Sequence, residues 1–446
     1  MKSKIILALC IVLSACGGSS EVSSPGGGSS VGSSGSGSHS GSSSGSLPGG
    51  GSSSSGSVGG SSSGAPVQAG TLTAGDYDDL LNFGVYHKYI SDFLQEYPEI
   101  TDIPYVDVNA KVAVRVVDAV GDPLFGAKVL IRSEDQRDVI LKTPANGVVH
   151  FYPAFDKTTD SVEIAIEVDG SDDILQTVAL KDLPDERVIE VPVPSINQVP
   201  TQLDIALVVD STGSMGDEIR YLKAELTQVF NDIEEAYDDL SLAAGLISYR
   251  DVGDSYVVWP YEMTTDLLQF ELDLNGIGAA GGGDYPEAMD QAMEAALELE
   301  WRADSVKIIL LVADAPPHND KIAATWDVAK IARQQQIHIV PVAASGVGNT
   351  AEFLMRSMAA LTNSRYIFLT DDSGVGNPHA EPSIDCYVVT RLDSAIRRVI
   401  SQLVTGERVE PTTPEIIRTE GNYDAGVCLP VEDGSDEEEN SQAHKQ

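Results

Sequence analysis

Four cysteines in 446 residues are too few for a disulfide scaffold. Positive charge is scarce as well: 28 Lys and Arg stand against 68 Asp and Glu, a formal net charge of −40. Such a chain repels polyanions, which excludes nucleic acid as a partner and excludes an anionic membrane surface as an electrostatic one. No apolar run approaches the about 20 residues that cross a bilayer. A phosphate-binding loop with its lysine, HExxH and GxSxG are all missing. The chain is therefore read as a binding protein and not an enzyme.

What is there begins at the N-terminus. Residues 1–15 have two lysines, a short apolar run from Ile5 to Leu13, and small residues before Cys16. The run suits a cleaved signal and is too short for an anchor helix. Its ending, Leu13-Ser14-Ala15-Cys16, resembles the lipobox of bacterial lipoproteins. That resemblance implies that Cys16 is acylated and that the membrane holds the protein by lipid alone. With Gly17 next, it favours an outer-membrane or surface position in the bacterial envelope over inner-membrane retention. Residues 16–70 are nearly all Ser and Gly, a tether with no core to bury and a reach on the order of 40 Å.

Cys10 leaves with the signal, so Cys386 and Cys428 remain, 42 positions apart. In an oxidising compartment they suggest one disulfide, pinning residues 407–446 back onto the fold. The end of that segment, Glu432 to Asn440, reads as a solvated acidic tail.

Residues 71–199 open with GDYDDLLNFGVYHKYISDFL, where Leu80, Leu81, Phe83, Tyr86 and Tyr89 share a helical face. The period then changes to two. KVAVRVVD, AKVLIRS, GVVHFYP, SVEIAIEVDG and ERVIEVPVP follow as short strands, a pattern that predicts a small β-sandwich. It resembles the carboxypeptidase regulatory-like and Cna-B-like modules of surface proteins.

Residues 200–406 alternate apolar strands with amphipathic helices, which predicts an α/β doubly wound, mostly parallel sheet covered on both faces. Ligands of such sheets sit beyond the carboxyl ends of the strands. The first strand, LDIALVVD, ends in DSTGSM, where Asp210, Thr212 and Ser214 offer one carboxylate and two hydroxyls at alternate positions. VKIILLVAD delivers Asp314 to the same edge. Oxygen donors of this kind suit a hard cation.

A glycine-rich stretch, GIGAAGGGDYPE, contains G-x-G-x-x-G from Gly276 to Gly281. A dinucleotide site needs that motif directly after the first strand. Here it follows a stretch of helical spacing, some 65 residues beyond Asp210, and the nucleotide reading falls.

Together DSTGSM, GGGDYPE and ADAPPH resemble a von Willebrand factor A domain with its metal-ion-dependent adhesion site. The resemblance implies a Rossmann-like fold, Mg²⁺ as the expected ion with Ca²⁺ or Mn²⁺ as alternatives, and a protein ligand whose Asp or Glu completes the coordination. ADAPPH is also similar to A domains attached to atypical alpha-kinases. The chain departs from the family at Tyr285, which stands where a threonine hydroxyl is common, and Asp284 becomes the nearest replacement donor, directly or through water. The expected ligand set is thus Asp210, Thr212, Ser214, Asp284 and Asp314. The function expected is adhesion or scaffolding, with a basic partner as the alternative ligand and a purely architectural envelope protein as the alternative role.

Overall fold

The computed structural model describes residues 69–429 apart from 99, 101–102, 135–137, 168–173, 195–198, 376–378 and 380. The signal segment, Cys16, nearly all of the Ser/Gly tether and the acidic tail lie outside the described residues.

The chain opens with β1 (Thr73–Tyr77) and α1 (Phe83–Glu96), followed by β2 (Val112–Val117), β3 (Lys128–Ser133), β4 (Asp138–Lys142), β5 (Val148–Phe151), β6 (Ser161–Glu167), β7 (Ile174–Ala179) and β8 (Val188–Pro192). β5, β2 and β8 make a three-stranded sheet, and β4, β3, β6 and β7 a four-stranded one. Val112, Val114 and Val116 from the first sheet meet Val129, Ile131 and Ile164 from the second in one buried apolar cluster. The alternation that predicted strands is thus the alternation that fills this core.

Next come β9 (Gln202–Asp210), α2 (Ile219–Ala236), β10 (Ser241–Tyr249), β11 (Val258–Thr264), α3 (Leu267–Gly276), α4 (Met289–Leu297), β12 (Val306–Ala313), α5 (Ile322–Gln334), β13 (Ile337–Ala343), α6 (Asn349–Leu361), β14 (Tyr366–Thr370), β15 (Tyr387–Arg391), α7 (Leu392–Thr405) and β16 (Arg418–Glu420). They build a nine-stranded mixed sheet in the order β11-β10-β9-β12-β13-β14-β1-β15-β16. β10, β9, β12, β13 and β14 run parallel.

Both faces of this sheet are covered, and β9 shows why its sequence is apolar throughout. Ala206 and Val208 feed one core, while Leu203, Ile205, Leu207 and Val209 feed the other. α2 closes the second core with Leu222, Leu226, Val229 and Ile233, spaced three and four apart. α3 ends at Gly276, so the G-x-G-x-x-G does follow a helix and not a strand.

Two expectations change at residues 71–97. Gly75 to Tyr77, read as helical, form β1, an antiparallel strand between β14 and β15. The boundary expected at residue 199 therefore does not separate two independent folds, because the large sheet takes a strand from before the smaller module. Tertiary contacts override the local pattern here. Asp76 takes Arg365 at 2.8 Å and Arg398 at 2.7 Å, all buried. The Glu225 carboxylate accepts the N–H groups of Gly70, Thr71 and Leu72. Gly75 is required by the Phe368 ring, whose Cζ would lie 2.3 Å from a Cβ. The helix starts later and buries Tyr86, Ile90 and Phe93, leaving Leu81 and Phe83 exposed.

Cys386 and Cys428 are joined in a disulfide, with Cα atoms 5.7 Å apart. The smaller module docks on the amino ends of the large sheet's strands. Lys142 donates to the Ala303 carbonyl before β12, Gln336 before β13 donates to the Thr143 carbonyl, and His150 meets Asn363 before β14. Arg333 clamps Asp156 through two nitrogens, at 2.7 and 3.0 Å.

Candidate metal centre

β9 has β10 on one side and β12 on the other, so the chain's direction of travel across the sheet reverses there. Such a reversal opens a crevice at the carboxyl end of the strand. Asp210 is the last residue of β9 and pairs with Tyr249 of β10, while Val209 pairs with Val312 of β12. Asp314 leaves β12 immediately beyond, and the two carboxylates meet at one edge. Both are buried.

The turn after β9 organises its own hydroxyls. Asp210 Oδ1 accepts the Thr212 N–H at 2.9 Å and its hydroxyl at 2.6 Å, and Thr212 Oγ1 lies 3.1 Å from Ser214 Oγ. Ser211 turns the other way and donates to the Tyr249 carbonyl at 2.8 Å, a backbone contact and not a donor for the crevice. Asp210, Thr212, Ser214 and Asp314 are thus brought together.

The third loop is laced to this turn. Gly213 N–H donates to the Gly281 carbonyl, Ala280 N–H to the Ser211 carbonyl, and Gly282 N–H to Asp254 Oδ2. Gly282 has φ +73°, and a Cβ there would lie 3.0 Å from Glu287 Oε1 and 3.3 Å from Thr212 Cβ. Only glycine fits between those groups.

Asp284, the expected replacement donor, is exposed, and its charge bears on His318. His318 Nε2 is 2.8 Å from Asp251 Oδ1, so this histidine serves an acidic rim. Tyr285 is tied elsewhere: its hydroxyl donates to the Asp314 carbonyl at 3.1 Å and accepts the Gly348 N–H at 2.5 Å. The residue of this loop that is buried toward the crevice is Glu287, 3 % exposed. Sequence reasoning missed it. Its backbone explains the placement, because Glu287 N–H donates to the Pro316 carbonyl and the residue bridges to Pro317 in the loop after Asp314.

Electrostatics mark the same place. Burial, and then the Asp314 charge, push Asp210 up to about 7 against the pull of Thr212. Burial, followed by Asp210, Asp251, Asp314 and Asp254, pushes Glu287 up to about 9. Tyr249, buried beside them, is held well above its ordinary value by burial and the same carboxylates. Asp210 Oδ2 and Glu287 Oε2 are buried and have no partner at hydrogen-bond geometry among the described residues, although the Tyr249 hydroxyl is close enough to Asp210 to ease its charge. A carboxylate oxygen left so is costly, and a hard cation is the chemistry that satisfies it. Among the described residues, no three His, Cys, Asp or Glu side chains are placed to hold an ion by themselves. The donor set fits a cation that takes hydroxyls and water beside two carboxylates.

A doubly wound sheet with hydroxyls and carboxylates at its switch point defines the class. Residues 204–377 match the family model for the von Willebrand factor A domain, and this part of the chain is such a domain, a kind that generally mediates protein interactions. The chain is 27 % identical over 126 residues to an alpha-protein kinase of Dictyostelium discoideum, covering 28 % of this chain and 20 % of that one. It is 35 % identical over 123 residues to a putative ariadne-like RING finger protein of Acanthamoeba polyphaga mimivirus, covering 26 % and 11 %. The chain thus spans a fifth or less of the length of these relatives. Among solved structures, it resembles the conserved hypothetical protein BatB from Bacteroides thetaiotaomicron, with 12 % identity, TM-score 0.33, and coverage of 45 % of this chain and 98 % of that one. The VWA domain of SpRpn10 matches with 14 % identity, TM-score 0.29 and coverage of 46 % and 95 %.

Proposed function

We propose that this chain is a lipid-anchored, non-enzymatic protein of the bacterial envelope whose A domain binds a protein partner through a divalent cation. Asp210, Thr212, Ser214 and Asp314 hold the ion, with Mg²⁺ the expected metal and Ca²⁺ or Mn²⁺ its competitors. The ion presents an electrophilic position to a partner's Asp or Glu. The observation that carries the reading is the buried, unpartnered Asp210 Oδ2 at the switch point, beside two hydroxyls that are already aligned. Lipid anchoring and surface display rest on the Leu13–Cys16 motif and the Ser/Gly tether. The smaller module, read as a Cna-B-like sandwich, docks at the amino ends of the strands and leaves the carboxyl edge open to a partner.

Calorimetric titration of Mg²⁺, Ca²⁺ and Mn²⁺ into the full chain and into Asp210→Ala tests the site. Saturable binding to the wild type that disappears in the variant is expected; a wild-type chain that takes up none of the three ions ends the reading. Capture from envelope extracts in Mg²⁺ against EDTA then tests the partner, and capture indifferent to EDTA removes the ion from recognition.

A further inference from the structure

We propose that Glu287, and not Asp284, supplies the third negative charge of the cation site, facing the ion across a bound water and setting how tightly the metal is held. The inference rests on the metal-binding reading above and names a residue outside its direct ligands.

Three observations carry it. Glu287 is buried, and its Oε2 has no hydrogen-bond partner among the described residues. Its other oxygen lies against the glycine cradle, 3.0 Å from the position of a Gly282 Cβ that would itself lie 3.3 Å from the Thr212 Cβ. Its backbone is fastened to Pro316 and Pro317, two and three residues past Asp314, so the side chain is delivered from a fixed support. No structural role accounts for a buried carboxylate facing Asp210, Asp314, Asp251 and Asp254 without an ion pair among the described residues, because each of those neighbours disfavours its charge.

A metal-bound water donating to Glu287 Oε2 would satisfy the orphaned oxygen. It also agrees with the lack of a three-carboxylate cage among the described residues, since Glu287 need not touch the ion. Groups that orient bound water typically alter metal affinity by about 10- to 100-fold when removed. Three carboxylates around a divalent ion leave a net negative centre. The site then favours retention of its metal and softens the ion's pull on a partner's carboxylate. Asp284 is exposed, and its charge acts on His318 at the rim.

The test uses the full chain and the metals alone. Mg²⁺ and Ca²⁺ are titrated into wild type, Glu287→Gln, Glu287→Asp and Asp284→Ala, and melting temperature is recorded for each in EDTA. Glu287→Gln should bind both metals about tenfold or more weakly. Glu287→Asp should recover part of that loss, and Asp284→Ala should match the wild type. In EDTA, Glu287→Gln should melt no lower than wild type, since it alters an oxygen that has no partner without removing volume; a merely structural glutamate would give a lower melting temperature. Equal metal affinity in wild type and Glu287→Gln overturns the inference while leaving the metal site standing, as does a loss confined to Asp284→Ala. Failure of the wild type to bind either metal overturns the metal site itself and this inference with it.

Discussion

The two edges of the large sheet are built from similar material and used differently. At the amino edge, buried ionisable groups meet partners from the smaller module or from neighbouring turns: Arg333 clamps Asp156 and His338 Nδ1 donates to the Thr362 carbonyl, while the neutral Gln336 reaches Thr143 through Nε2 and leaves its Oε1 without a partner among the described residues. At the carboxyl edge, Asp210 and Glu287 are as deeply buried, yet each keeps an oxygen without a partner among the described residues. A neutral amide oxygen left without a partner is a small cost, whereas a buried carboxylate oxygen left so is a large one that a counter-charge offsets. Burial of a charge is thus no guide to function by itself; what distinguishes the edges is whether the protein provides a counterpart for its buried carboxylates, as Arg333 does for Asp156.

The largest expected effect breaks the satisfied edge. Arg333→Ala strands the buried Asp156 carboxylate, and urea unfolding should report a loss of about 3 to 5 kcal/mol with metal affinity unchanged. A parallel fall in metal affinity would show that the edges are not independent.

Acid should attack the same edge. Burial holds the His338 imidazole down at about 4, against an ordinary value of 6.5. A base whose folded value is depressed resists protonation in the fold, so its unfolded form gains protons first and stability falls as pH drops from about 6.5 through 4. Over that window the wild type should lose about 2 to 3 kcal/mol more than His338→Asn, measured by denaturant titration at each pH. An equal pH response of the two proteins would mean that His338 is not kept neutral.

At the unsatisfied edge, Asp210→Ala should weaken Mg²⁺ binding by at least about 100-fold, some 2.7 kcal/mol, and should lower metal-free stability by about 1 to 3 kcal/mol, because the Thr212 N–H and hydroxyl lose the Oδ1 that accepts them. The smallest effect is expected from Tyr285→Phe, which deletes a hydroxyl bonded to the 314 and 346–348 loops. It should lower stability by about 1 kcal/mol and leave metal affinity within twofold of wild type. A large drop in affinity would place the phenol closer to the ion than its hydrogen bonds do.

Much of the carboxyl edge was legible. Asp210, Thr212 and Ser214 are separated by two positions each, a local spacing that a tight turn converts directly into a hydrogen-bonded set. Asp314 could be expected beside them because an apolar run such as Val306 to Ala313 has few places to go except the centre of a parallel sheet. Glu287 was harder. In GGGDYPE the acidic residue beside the glycines is Asp284, and only the pairing of Glu287 with Pro316 and Pro317 turns the later carboxylate inward and leaves the earlier one outside. The one available signal was that a buried helix such as α4 begins just after it, which favours a fixed backbone at that point.

Residues 71–97 show the opposite limit. Apolar spacing from Leu80 onward supports a helix, but nothing local says that Thr73 to Tyr77 will pair with strands nearly 300 positions away. That choice belongs to Asp76, whose carboxylate is stable in the core only because Arg365, just before β14, and Arg398 of α7 converge on it.

What the sequence determined by itself is everything that short-range geometry encodes: which runs are apolar enough to lie inside, which helices show one buried face, and which hydroxyls stand beside Asp210. What the tertiary structure alone decided is which distant groups become neighbours. It inserted β1 into the large sheet and buried Glu287 behind the glycine loop while leaving Asp284 exposed. The reason is physical: side-chain periodicity is a property of a few residues in a row, whereas the partner of a buried charge is set by strand order and register across the whole fold.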